Sequence, residues 1–199
     1  MTQRISDETR ATILATAWDM MSAQGRLDAG MAEIAAAAGV SRQTVFYAFG
    51  NRAGLLVAMA RHNDTLSAHV PRMRMLARGP GADASTLRDF VDAWLAYLPE
   101  IYPVAIQLEV ASLADADAAA AWQDRIFSQG LRLGLDLILT RMAAAGALPA
   151  GTDPSPAADL CLTWLVPSAW RYLVVERGWT PRAFADSRQS LVRQLIEAR

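Results

Sequence analysis

Residues 30–49, GMAEIAAAAGVSRQTVFYAF, leave this chain little freedom in how it folds. Two short apolar-periodic stretches meet at Gly39, where a tight turn needs positive φ and a side chain is disfavoured. Ser41 follows as an N-cap, so a second helix starts at once and ends at Gly50. Ala35 is small where two helices cross closely. Ile34, Val40, Val45 and Phe49 form the apolar wedge that fixes the angle between them. The second helix then turns Arg42, Gln43, Thr44 and Tyr47 outward. This is the pattern of a helix-turn-helix, whose second helix enters the DNA major groove.

The flanking sequence also reads as helix. Apolar residues recur at three- and four-residue spacing, and no alternating run marks a strand. A first helix spans 7–23, capped by Ser6 and stopped by Gly25, with Ile13, Leu14, Ala17, Trp18 and Met21 as its buried stripe. A helix over 31–38 precedes the turn. A fourth starts at Arg52 and runs past Asn63, and Pro71 marks a kink or an end. Beyond Arg78-Gly79-Pro80-Gly81 helices are expected over 86–98, 104–113, 116–145, 155–177 and 181–197, with Pro99 and Pro103 separating the first two and Pro167 bending the fourth. The fold class is all-α. Residues 1–51 form a three-helix DNA-binding module, and 52–199 a helical effector-binding and dimerisation domain.

Ile13-Leu14, Ala17, Gly25, Ile34-Ala35, Ala38-Gly39-Val40-Ser41, Thr44-Val45, Phe49, Arg52 and Leu55-Leu56 together resemble the TetR family of bacterial transcriptional regulators. The resemblance covers about residues 10–56. It implies a homodimeric, cytoplasmic, ligand-responsive DNA-binding protein, most often a repressor, with a pocket among helices four to eight. The chain departs from the family pattern at Phe46, often Tyr, at Ala48, often His or Tyr, and at Gly30, often Thr. Arg52 matches the usual basic residue opening the fourth helix.

The DNA-binding set is therefore Ser41, Arg42, Gln43, Thr44, Tyr47 and Arg52. The planar fork of Arg42 suits a guanine edge or bridges phosphates. Gln43 suits adenine, directly or through water. Thr44 offers a hydroxyl to phosphate or a methyl to thymine. Tyr47 and Arg52 suit phosphates, the latter beside exposed N–H groups of a helix start.

Charge shapes how such a module works. The 199-residue chain has formal net charge -1, and its 19 basic residues are all Arg. Through residue 63, Arg4, Arg10, Arg26, Arg42, Arg52 and Arg61 face Asp7, Glu8, Asp19, Asp28 and Glu33. One such module binds DNA weakly. Two in a symmetric dimer gain from effective concentration and reach half-sites about 34–36 Å apart. The dimer face is expected on the last two helices, at Leu165, Trp170, Leu173, Leu191, Val192 and Leu195; packing within one chain is the alternative for these apolar faces.

Most aromatics lie beyond the DNA module. Trp94, Tyr97, Tyr102, Trp122, Phe127 and Trp164, with Gln107 to orient a polar group, are the candidate pocket for a small apolar or aromatic effector; ordinary core is the alternative for each. Nothing calls for a cofactor, a metal or a catalytic residue. His62 and His69, seven apart on an expected common helix face, do not close a metal site, and no HExxH, GxGxxG, P-loop or GxSxG occurs. Cys161 sits in an apolar stretch and reads as an inert core thiol in a reducing cytosol. No signal peptide and no apolar run of membrane-spanning length is present, so no membrane partner is expected. An enzyme and a DNA-binding regulator without a small-molecule effector are the competing readings.

Overall fold

The computed structural model describes residues 5–128 and 130–197; Arg4, counted among the basic residues, lies outside them. All regular structure among the described residues is helical. The elements are α1 Asp7–Gln24, α2 Met31–Ala37, α3 Arg42–Phe49, α4 Arg52–Leu66, α5 His69–Arg78, α6 Ala84–Ala111, α7 Ala116–Trp122, α8 Leu131–Ala144, α9 Pro154–Leu165, α10 Pro167–Trp170 and α11 Pro181–Glu197. π-helical turns occupy Gln123–Ser128 and Arg171–Glu176. The chain packs as two units, one comprising the N-terminal residues to Leu66 with Ile101–Arg125, the other Ser67–Glu100 with Ile126 onward.

In the first unit, Ser6 Oγ accepts from Thr9 N–H at 3.1 Å and Gly25 closes α1 with φ 66°. Ile13, Leu14, Ala17, Met20 and Met21 are buried on α1 and meet Ile34, Ala35, Val45, Leu55, Leu56 and Met59 in one core. Trp18, expected in the stripe, is half-buried at the core's edge. The C-terminal part of α6 adds Val104 and Leu108, and α7 adds Ala118 and Ala121.

In the second unit α8 packs on α5 and α9, and α11 packs on α9. Close approach is possible because Gly134 of α8 has no side chain: a Cβ there would lie 2.3 Å from the ring of buried Phe90. The Arg141 guanidinium donates to the carbonyls of Leu76 and Gly79, serving the end of α5.

Four sequence expectations are corrected. Pro99 and Pro103 do not separate two helices; both lie inside the single α6. Each removes one N–H from the ladder, but Pro99 is on an exposed face, where carbonyls tilt toward water at small cost. Buried Leu98, Val104 and Leu108 hold the helix together through this stretch. The expected helix over 116–145 is broken by the π turn after Trp122, and that over 155–177 breaks at Val166, which is extended ahead of Pro167. The break frees the Leu165 carbonyl, which accepts from Trp94 Nε1–H at 2.9 Å. His62 and His69 share no helix face: His62 is in α4 and His69 opens α5.

Candidate DNA-recognition surface

The turn between α2 and α3 is set by local hydrogen bonds. Gly39 has φ 69°, and Val40 N–H returns to the Ala35 carbonyl at 3.0 Å. Ser41 caps α3 by accepting from Thr44 N–H at 3.0 Å, and the two hydroxyls are 2.9 Å apart. Gly30 has no side chain to cap α2. Instead Glu33 reaches back to accept from Gly30 N–H at 3.0 Å, and Arg26 holds the same carboxylate. The Gly30 N–H, then Arg26, lower the Glu33 pKa from its ordinary value.

On α3 only Val45 is buried. Arg42, Gln43, Phe46 and Tyr47 are exposed, and Thr44 is half-buried with its hydroxyl against Ser41. Gln43 Nε2–H donates to Tyr47 Oη at 3.4 Å, so these two side chains lie along one another. Phe46 is 59% exposed, an unusual cost for a large apolar ring in water. Sequence reasoning registers Phe46 only as a lost hydroxyl. The available signal is an aromatic four residues after Arg42, on the polar side of the helix.

Two arginines fasten this surface from behind. Arg10 of α1 donates to the Ala48 carbonyl at 2.9 Å, and its guanidinium lies 4.4 Å from the centre of the Phe49 ring. Arg52 donates to Asp115 Oδ2 at 2.8 Å and to the Leu27 carbonyl at 2.6 Å, with its side chain 18% exposed. It is thus placed unlike Arg42, Gln43 and Tyr47, with its charge already engaged inside the protein.

Residues 13–59 match the sequence model of the bacterial regulatory proteins, tetR family. The N-terminal module is a TetR-family module. No protein of curated function matches the chain. Solved structures share the whole TetR fold. A TetR-family regulator from Rhodococcus sp. is 15% identical with TM-score 0.75, over 96% of this chain and 100% of that one. Bacillus subtilis FadR, solved with stearoyl-CoA, is 17% identical with TM-score 0.70, over 96% and 99%. SmeT, solved with triclosan, is 20% identical with TM-score 0.67, over 94% and 90%.

The remaining candidate residues are dispersed. Trp94 and Tyr97 are buried in the second unit with rings 6.2 Å apart, and Phe127 and Trp164 are half-buried there. Tyr102, Gln107 and Trp122 belong to the first unit. Gln107 is half-buried and does not stand free to orient a ligand: Nε2 donates to the carbonyls of Met21 and Pro103, and Oε1 accepts from Leu27 N–H. Of the expected dimer residues, Leu165, Trp170 and Val192 are buried within the chain's own core, while Leu173, Leu191 and Leu195 are half-buried. The apolar side chains that do reach the surface in this region are Leu160, Tyr172, Val175 and Trp179.

Cys161 is fully buried, and burial pushes its thiol up to about 12. At pH 8 the thiolate needed for alkylation is scarce and shielded. Iodoacetamide is expected to leave the native protein unmodified and to modify it stoichiometrically in denaturant, as read by intact mass. Rapid native labelling would remove the inert-core assignment.

Proposed function

We propose that the protein is a ligand-responsive transcriptional repressor that binds a palindromic operator as a homodimer in the cytoplasm. The observation carrying this reading is the exposed α3 face, where Arg42, Gln43, Phe46 and Tyr47 stand outward from a TetR-type helix-turn-helix. Arg42 and Gln43 read base edges, Phe46 contacts a thymine methyl or sugar, and Tyr47 bonds a phosphate. Ser41 and Thr44 hold the helix start and offer hydroxyls to the backbone. The working division is 1–51 for DNA and 52–199 for effector and dimerisation; α4 packs with α1 because the core of the DNA module needs it.

The dimer is built on exposed Leu160, Tyr172, Val175 and Trp179, with half-buried Leu173, Leu191 and Leu195 beside them. The effector is a small molecule with a large apolar or aromatic part. The likeness to FadR with stearoyl-CoA and SmeT with triclosan supports this, as do the aromatics of 94–164. Its binding favours a conformer with wrongly spaced recognition helices, a coupling of about 1–3 kcal/mol.

Selection of bound duplex from a random pool tests the reading. An inverted repeat is expected. Gln43→Ala is expected to relax preference at one position per half-site, by about 1–3 kcal/mol of discrimination, while Tyr47→Phe weakens all sequences alike. A pool that never enriches at low salt would sink the proposal.

A further inference from the structure

Arg52 opens α4 next to the proposed DNA surface, at the position where a basic residue invites assignment to a phosphate. Its guanidinium is occupied instead. One nitrogen lies 2.8 Å from Asp115 Oδ2 and 3.8 Å from Asp117 Oδ2, and the other donates to the Leu27 carbonyl. Leu27 is buried in the loop between α1 and α2 and is held on its other side too, its N–H donating to Gln107 Oε1 at 3.3 Å. Arg52 and Leu27 together thereby tie the loop leading into α2, the start of α4, the C-terminal part of α6 and the cap of α7. Helix α3 hangs between the first two of these.

The fastening continues along α4. Arg61 pairs with Asp124, and Asp64 with Arg125. The partners of residues 52, 61 and 64 are 115, 124 and 125, so α4 and the 115–125 segment run side by side in the same direction, pinned near both ends.

We propose that Arg52 is a positioning residue for DNA recognition, acting with Asp115, and does not itself contact the phosphate backbone. This rests on the DNA-binding reading above. Reaching a phosphate would require Arg52 to leave two carboxylates and a carbonyl, stranding Asp115 and the Leu27 oxygen in a partly buried place. Held where it is, the guanidinium fork sets the α1–α2 loop and the α4 start at a fixed separation. The pose of α3 depends on that separation, and groove recognition tolerates little error in it.

Two variants separate positioning from contact. The double variant Asp115→Asn with Asp117→Asn removes both carboxylates, while the amide introduced at position 115 retains a side-chain oxygen able to cap α7. Arg52→Lys keeps a cation that binds phosphate well but lacks the fork. Affinity for the duplex selected by the wild-type protein is measured by fluorescence anisotropy over a range of salt. Both variants are expected to bind about tenfold more weakly, because the partly buried, hydrogen-bonded pair that sets the pose of α3 is broken, with the slope of log K against log salt unchanged. For the double variant this loss runs against its added positive charge, which alone strengthens DNA binding. Tighter binding with a steeper slope in the double variant, or wild-type affinity in Arg52→Lys, overturns the inference and leaves the DNA-binding reading intact. Hydrogen exchange needs no DNA: amides of residues 25–51 are expected to exchange faster in both variants while α8 and α9 are unchanged. Unchanged exchange at 25–51 overturns the positioning role. Failure of the wild type to enrich any duplex counts against the function alone.

Discussion

Gly54→Ala is expected to lose about 2 kcal/mol of stability and most of its specific DNA binding, although the substitution raises helix propensity by about 1 kcal/mol. A Cβ on Gly54 would stand 2.1 Å from the Phe49 carbonyl oxygen and 3.3 Å from its carbon. Backbone, not a pliant side-chain tip, must therefore give way. The Phe49 carbonyl is not free to move. It accepts from Asn51 N–H at 3.0 Å across Gly50, whose φ of 77° and ψ of -63° are those of the strained three-residue turn that glycine accommodates best. Asn51 Oδ1 in turn accepts from Gly54 N–H at 2.8 Å, capping α4. Displacing Phe49 also disturbs the Arg10 contact over its ring and the Arg10 bond to Ala48. The recognition helix is thus anchored at its C-terminal end by a turn that Gly54 permits. Urea unfolding and operator binding check the expectation. A Gly54→Ala protein as stable as the wild type, with unchanged affinity, would show that the α3–α4 turn yields easily.

What was legible in the sequence was whatever the chain decides locally. Ser6, Gly25, Gly39, Ser41 and Gly50 act within a few residues of themselves, so α1 to α3 were readable to within a residue or two. The exposed face of α3 followed, since buried Val45, with Phe49 packed beside it, fixes its rotation. Beyond the module, tertiary terms override local ones. Pro99 and Pro103 break isolated helices, yet α6 runs through them because burial on its other face outweighs two missing hydrogen bonds. Leu165, Trp170 and Val192 show the same limit from the other side. An apolar stripe says that a face is covered but not by what, and here the cover is the chain itself. Arg52 illustrates it most sharply. Its local context, a cation at a helix start beside a DNA module, favours phosphate, whereas the partner that engages it lies 63 residues away in sequence.

The same kind of long-range pairing makes Asp64 the charged side chain whose loss is expected to cost most among the described residues, since it is the one buried charge there. Asp64 is a buried carboxylate, 5% exposed, paired with Arg125 in the π-helical turn. Nothing in the sequence around it, RHNDTL, distinguishes it from a solvated acid on a helix. Removing one member of a buried pair leaves the other as an uncompensated charge, at about 3–5 kcal/mol. Asp124 lies 3.8 Å from Arg125 and relieves part of this, but it already serves Arg61. Asp64→Ala is therefore expected near the lower end, about 3 kcal/mol, a large share of the roughly 5–15 kcal/mol that holds a domain folded. The double variant Asp64→Leu with Arg125→Met removes both charges and refills their volume, and is expected to recover most of the loss, because apolar replacement of a buried pair is often neutral. Urea midpoints of the two variants against the wild type decide the matter. If Asp64→Ala alone shifted the midpoint by less than about 1 kcal/mol of equivalent stability, water would be reaching the pair, and α4 would be held to the 115–125 segment by its apolar contacts rather than by these charges.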